Sequence, residues 1–112
     1  MEGILFEDFL KIDIRFGTII DAKPNLKAQK PAYVLTIDFG ELGMKTSSAQ
    51  ITENYQPDEL LGQQIIAVIN FPMKRVAGIK SEVLVLGSVD GSSSGVVLLQ
   101  PSHAVLNGSR VL

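Results

Sequence analysis

Residues 57–69 read Pro57-Asp58-Glu59-Leu60-Leu61-Gly62-Gln63-Gln64-Ile65-Ile66-Ala67-Val68-Ile69, and the change of pattern inside them decides the fold. Pro57, Asp58 and Glu59 suit the first turn of a helix: proline lacks only an N–H that the helix end leaves unpaired, and the acids meet the positive end of the helix dipole. Gly62 stands where a glycine ends a helix. From Ile65 to Ile69 the chain is apolar without interruption, at the length of a strand buried on both faces. A short helix therefore feeds directly into a strand.

Upstream of this stretch the period is two. Ile12, Ile14, Phe16 and Thr18 share one face of a first strand, with Asp13 and Arg15 on the other. Pro24-Asn25 and Pro31 punctuate a loop, after which Leu35, Ile37 and Phe39 alternate with Thr36 and Asp38 up to Gly40. The turn Gly40-Glu41-Leu42-Gly43 leads into a polar strand from Met44 to Gln50, which makes a hairpin. Ahead of the first strand, Phe6, Phe9 and Leu10 fall on one helical face behind Glu7 and Asp8, which predicts a short N-terminal helix. Downstream, Val83 to Leu86 and Val96 to Leu99 are again apolar on both faces. Asp90-Gly91-Ser92-Ser93-Ser94-Gly95 reads as a flexible turn and Asn107-Gly108 as a tight one. The pattern is all-β, and five or six strands with a helix after the third fit a five-stranded Greek-key barrel of the OB type. Other small barrels share this periodicity, and the position of the helix tilts the choice.

A small barrel buries only its inside. Strands that are apolar on both faces need an outer cover, either a local helix or a second copy of the chain, and we expect a homodimer.

The 112 residues are expected to form a single domain over 1–112, because a chain of this size supports one modest core. Hydrophobic residues at 46% supply that core, and charged residues at 20% are too few for a disordered chain. With no cysteine, disulfides, thiolate nucleophiles and Cys-based zinc sites are absent. Acids near Met1 stand where a signal peptide has basic residues, and no apolar run reaches the length of a membrane helix, so a cytoplasmic location without membrane insertion is expected. A formal charge of −2 argues against a protein that coats DNA or RNA by bulk charge.

Catalytic chemistry finds little to use. His103 is the only histidine, and nothing near Pro101-Ser102-His103 resembles a nucleophile elbow, so no catalytic residue, metal or cofactor is expected. Gly40 to Thr46 fails the spacing of a phosphate loop, and Asn107-Gly108-Ser109 matches a glycosylation sequon that a chain read as carrying no secretion signal is not expected to use. Two cationic stretches stand out. Between Asp21 and Asp38 the only charged residues are Lys23, Lys27 and Lys30; the loop from Asn70 to Glu82 sets Lys74, Arg75 and Lys80 against one acid. The adjacent Lys74 and Arg75, with Gly78 and Lys80 beyond them, form a loop able to present cations to phosphates. Arg15 points outward from strand one, either as the partner of Asp13 or as part of the same surface.

The run Asn70-Phe71-Pro72-Met73-Lys74-Arg75-Val76-Ala77-Gly78-Ile79-Lys80-Ser81-Glu82-Val83-Leu84-Val85-Leu86-Gly87 closely resembles the core motif of the tRNA-binding domain family. That family includes the C-terminal appendage of methionyl-tRNA synthetase. Phe9, Asp13-Ile14-Arg15, Gly17 and Ile19 resemble its opening strand, and Ser47 to Thr52, Tyr55 and Leu60-Leu61-Gly62 extend the likeness over essentially the whole chain. Synthetase-type members carry Ser-Gly where this chain has Ser48-Ala49, and Ser-Glu-Gly-Met where it has Ser81-Glu82-Val83-Leu84. These departures, with Asn70-Phe71-Pro72, are similar to the export-related chaperones of the family.

The resemblance implies an OB-fold homodimer whose N-terminal helix and C-terminal segment add to the dimer contact. It also implies a non-enzymatic chaperone that binds unfolded precursor proteins and passes them to the export machinery. Phe71, Met73, Val76 and Ile79 would then hold apolar parts of a client and Lys74, Arg75 and Lys80 its acidic parts. The alternative is a tRNA-binding module. There Ser48, Asn70 and Ser81 would bond sugar or base edges while the same cations position phosphates, with Glu82 completing the site. With no Trp and 6% aromatics, stacking platforms for single strands are scarce.

Overall fold

The computed structural model describes residues 2–89 and 95–112, so the turn expected over 90–95 lies outside the described residues except for Gly95. Among them the chain runs α1 (Phe6–Leu10), β1 (Ile14–Pro24), β2 (Tyr33–Asp38), a 3-10 turn (Gly40–Leu42), β3 (Met44–Ala49), α2 (Pro57–Leu60) and β4 (Gln64–Val68). Then come β5 (Lys74–Val76), β6 (Ile79–Ser81), β7 (Leu84–Val85), β8 (Gly87–Val89) and β9 (Val96–Leu98). Five strands form one antiparallel sheet in the order β3-β2-β1-β4-β7. Its two edges meet where the Glu82 N–H, just before β7, donates to Thr46 O of β3 at 2.8 Å. The sheet is a nearly closed OB-like barrel, all-β apart from two short helices, as the sequence pattern predicts.

The interior follows from alternation. Tyr33, Leu35, Ile37 and Phe39 point inward from β2 and its end, Ile65 and Ala67 from β4, and Leu60 of α2 plugs the barrel between β3 and β4. The helix has the expected start, with Pro57 in its first turn and the Glu59 carboxylate accepting the Gln56 N–H at 3.0 Å. Tyr33 Oη donates to Tyr55 O at 2.7 Å, and Tyr55 Oη accepts the Leu98 N–H at 2.9 Å, which ties β9 to the barrel wall.

The first strand corrects the expected faces. It starts at Ile14, and its inward residues are Gly17, Ile19 and Ala22, so the apolar row Ile14, Phe16 and Thr18 lies outside. The cause is crowding: a Cβ at Gly17 would sit 2.7 Å from Ile37 Cγ2 and 2.8 Å from the Phe39 ring. Glycine at this point lets two large side chains reach the barrel centre. A bulge between Ile19 and Asp21 then shifts the parity, which is why Ala22 follows Ile19 inward. The strand also runs on through Pro24, where the sequence suggests a loop.

The doubly apolar runs are corrected in part. Outside the barrel Ile14 pairs with Val68 and Phe16 with Ile66, and Val68 is buried within the single chain, so a second copy is not needed to cover it. Leu84, Val97 and Leu99 remain about half exposed.

Candidate functional site

The connection from β4 to β7, read from sequence as a loop, folds into a two-stranded hairpin of its own. Lys74 pairs with Ser81, Arg75 with Lys80 and Val76 with Ile79. Ala77 and Gly78 turn the corner with φ of 48° and 82°, the two positive values that a tight hairpin turn requires. Alternation separates the neighbouring cations. Lys74, Val76, Ile79 and Ser81 share one face, and Arg75 and Lys80 stand opposite each other on the other, exposed face. Lys74 and Arg75, adjacent in the sequence, therefore project from opposite faces of the hairpin.

The hairpin is fastened to β3. Thr46 Oγ1 donates to Lys80 O at 2.5 Å and lies 3.3 Å from Glu82 Oε1, while the Ser48 N–H donates to Ser81 Oγ at 3.1 Å. A cleft of about 330 Å³ opens beside these bonds, lined by Ser48, Phe71, Lys74, Val76, Ser81 and Glu82 and closed at its far end by Val83 and Leu84. Past Ser48 and Val76 it adjoins a second cleft of about 350 Å³, bounded by Lys27, Lys30, Gln50 and Ala77. A third, of about 370 Å³, lies between the base of the 25–32 loop and the hairpin tip, with Leu26, Lys27, Val34, Ala77 and Ile79 around it. The two cationic stretches, far apart in sequence, therefore meet: a Cβ at Gly78 would touch Lys27 Cδ at 3.3 Å.

Ion pairs leave this region charged. Among the described residues the pairs are Lys11–Asp8, Arg15–Asp13, Lys23–Asp21 and Arg110–Asp13, and none includes Lys27, Lys30, Lys74, Arg75 or Lys80. Arg75 opposite Lys80 is a like-charge cross-strand pair, destabilising until an anion lies between them.

Of the residues singled out from sequence, Ser48, Phe71, Lys74, Ser81 and Glu82 share the first cleft. Ile79 lines the third, while Met73, Arg75 and Lys80 are exposed around the hairpin. Asn70 stands apart: its amide accepts from Asp13 N at 2.9 Å and donates to Lys11 O at 2.8 Å, tying the N-terminal segment to the end of β4. Arg15 is also elsewhere. It lies half-buried against Asp13 at 2.6 Å and donates to Gly108 O at 2.9 Å, holding the C-terminal turn rather than extending a basic surface. Sequence reasoning left out Leu26, and it singled out Lys27 and Lys30 as a cationic stretch without placing them as a second wall of the site. The acid-free run of lysines signalled the loop, but only the barrel topology places it beside the hairpin. In an OB barrel the loops between the first two and the last two strands flank the usual binding face, and these are the two that converge here.

His103 sits exposed at a separate polar cleft with Gln63, Gln64 and Gln100. No group of three His, Cys, Asp or Glu occurs among the described residues in a position to hold a metal, and no helix among them is long and apolar enough to cross a membrane.

Known proteins share this arrangement. The crystal structure of chaperone CsaA from Bacillus anthracis is 56% identical, with a TM-score of 0.91 over 99% of this chain and 100% of that one. CsaA from Picrophilus torridus is 50% identical, with a TM-score of 0.90 over 98% and 100%. Methionine–tRNA ligase of Porphyromonas gingivalis is 40% identical over 110 residues; these are 98% of this chain but only 16% of the ligase. The model of the family described as "Putative tRNA binding domain" matches residues 14–110, which takes in the barrel, the hairpin and the C-terminal turn, and the chain accordingly belongs to the tRNA-binding domain family.

Proposed function

We propose that this protein is a non-enzymatic chaperone similar to CsaA, which holds unfolded precursor proteins for export in the cytoplasm and acts as a homodimer. One observation carries the reading: the groove beside the hairpin combines apolar walls at Phe71, Val76, Val83 and Leu84 with the cation Lys74, which has no acid partner among the described residues, and the small polar group of Ser48. Such a lining suits an extended chain, whose apolar side chains find desolvated contact while its acids find Lys74. The identity to two CsaA chains along their full length supports the same reading. Delivery to the export machinery is its finer step, and the single domain over 1–112 and the site residues Ser48, Phe71, Met73, Lys74, Arg75, Ile79, Lys80, Ser81 and Glu82 are parts of it.

A specific observation favours a second reading, tRNA binding. The exposed face of the hairpin sets Arg75 directly opposite Lys80 without an acid from the described residues, a geometry suited to a phosphate.

A denatured client diluted into buffer tests the first reading by light scattering. The protein at equimolar dimer should suppress aggregation, and the effect should survive physiological salt because apolar burial is little screened. Filter binding of tRNA is the parallel arm, with a slope of log affinity against log salt of roughly −3 to −5 for four to six phosphates per dimer. Undiminished aggregation beside salt-dependent tRNA binding would overturn the chaperone assignment in favour of the second reading.

A further inference from the structure

We infer that the third cleft, between the 25–32 loop and the hairpin tip, is a seat for one large apolar side chain flanked by Asp or Glu in an extended polypeptide. The inference rests on the chaperone reading and names the chemistry of the client it prefers.

The cleft has an apolar floor and a cationic rim. Leu26, Val34, Ala77 and Ile79 line it, with Lys23 and Lys27 at its edges. Lys23 is already engaged by Asp21 at 3.4 Å, which leaves Lys27 as the cation available to a ligand. Leu26 stands 94% exposed in the middle of this surface, the most exposed large apolar side chain among the described residues. An apolar group so placed gains most when a partner of like character covers it.

A second observation is independent of exposure. Asn25, at the base of the cleft, is 9% exposed, and its side-chain Nδ2 is buried with no hydrogen-bond partner among the described residues. Its orientation is fixed, because Oδ1 accepts the Lys27 N–H at 3.1 Å and a flipped amide would break that bond. An unsatisfied donor therefore lies buried beneath the cleft, next to Lys27, which pairs with no acid among the described residues. A carboxylate pairs with Lys27, and an apolar side chain beside it covers Leu26 and Ile79. Lys27 favours an anionic ligand, and the apolar floor selects the acidic polypeptide over nucleic acid, since a base or sugar offers Leu26 and Ile79 less apolar surface than a Leu or Phe side chain does.

Three short labelled peptides of Gly and Ser, carrying Glu-Leu-Glu, Lys-Leu-Lys or Glu-Ser-Glu at the centre, test the inference by fluorescence anisotropy on the whole protein. Glu-Leu-Glu should bind at least about fivefold tighter than either of the others. Leu26→Ser should remove the preference for Leu over Ser, and Lys27→Glu should reverse the preference for Glu over Lys flanks. Both residues are exposed, so both variants should keep the wild-type thermal midpoint. His103→Ala, at the separate polar cleft, should leave the peptide preferences unchanged. Equal binding of the three peptides, or variants that keep the wild-type preferences, would overturn the inference even where the protein still suppresses aggregation. Loss of tRNA binding in Leu26→Ser and Lys27→Glu with the peptide preferences intact would assign the cleft to nucleic acid and also overturn it. Failure of the wild type to suppress aggregation at all would count against the chaperone reading itself, a result that the peptide series does not measure.

Discussion

Gly17 shows how much one missing side chain decides. The row Ile14, Phe16 and Thr18 looks like the buried face of strand one, and only the space that Ile37 and Phe39 take at Gly17 reverses it. Periodicity reads which residues share a face; which of two apolar faces turns inward depends on partners far along the chain. Gly17→Ala should overpack the barrel centre and cost about 1–3 kcal/mol in a urea titration, with an unchanged m-value. A cost below the error of the titration would show that Phe39 moves aside freely. A smaller effect belongs to the cation pair on the hairpin. Lys80→Gln removes the repulsion opposite Arg75, so it should raise stability by roughly 0.2–1 kcal/mol while weakening tRNA binding. A fall in stability would mean that Lys80 holds the hairpin in some other way.

Elements whose signals are local were legible from sequence. Helix α1, strand β2, the β2–β3 hairpin and α2 with its Pro57 start fall close to their expected places. The β5–β6 hairpin was not, because its turn is Ala77-Gly78 rather than the Asn-Gly or Asp-Gly that normally announces one. Ala77 holds a left-handed φ of 48°, a conformation that costs an ordinary L-residue about 1–2 kcal/mol. Ala77→Asn should therefore raise the unfolding midpoint and slow amide exchange at Val76 and Ile79. No gain on either measure would indicate that the turn is held by β3 and the 25–32 loop rather than by its own geometry. The site was legible to the same degree. Residues of the 70–82 stretch were found by charge and motif, whereas Lys27 and Leu26 come beside them only through the curl of the barrel.

For the whole molecule the unsettled surface is the apolar one. Leu5, Phe6, Leu106 and Leu112 are all largely exposed, and isolated monomers seldom leave so many large side chains in water. A homodimer that buries the N-terminal helix and the C-terminal segment removes them, and sedimentation equilibrium at micromolar concentration should give twice the 12.1 kDa chain mass. Phe6→Asp, exposed in the single chain, should shift the mass toward monomer without unfolding it. A monomer mass for the wild type across the range would remove the dimer. Val68 is already buried within one chain, so it is not part of that surface.

Strand β1 takes part in both halves of the barrel: its later residues pair with β2 and its earlier ones with β4. The β2–β3 contact from Asp38 to Met44 closes a short loop, while the contact from Thr18 to Gln64 closes a far longer one. Each doubling of loop length adds about 0.6 kcal/mol of closure entropy, and roughly three doublings separate these two, so the second contact starts about 2 kcal/mol behind. The chain should therefore assemble its β1–β2–β3 meander first and shut the barrel against β4 late. Truncations at Ile37 would then slow folding and truncations at Ile65 speed unfolding, a division that φ-values measure and that equal φ-values at both positions would contradict. Until that late step the groove has only one wall, because the hairpin that supplies the other follows β4 in the chain: on the chaperone reading proposed above, the protein has to finish its own folding before it has anything to hold an unfolded client with.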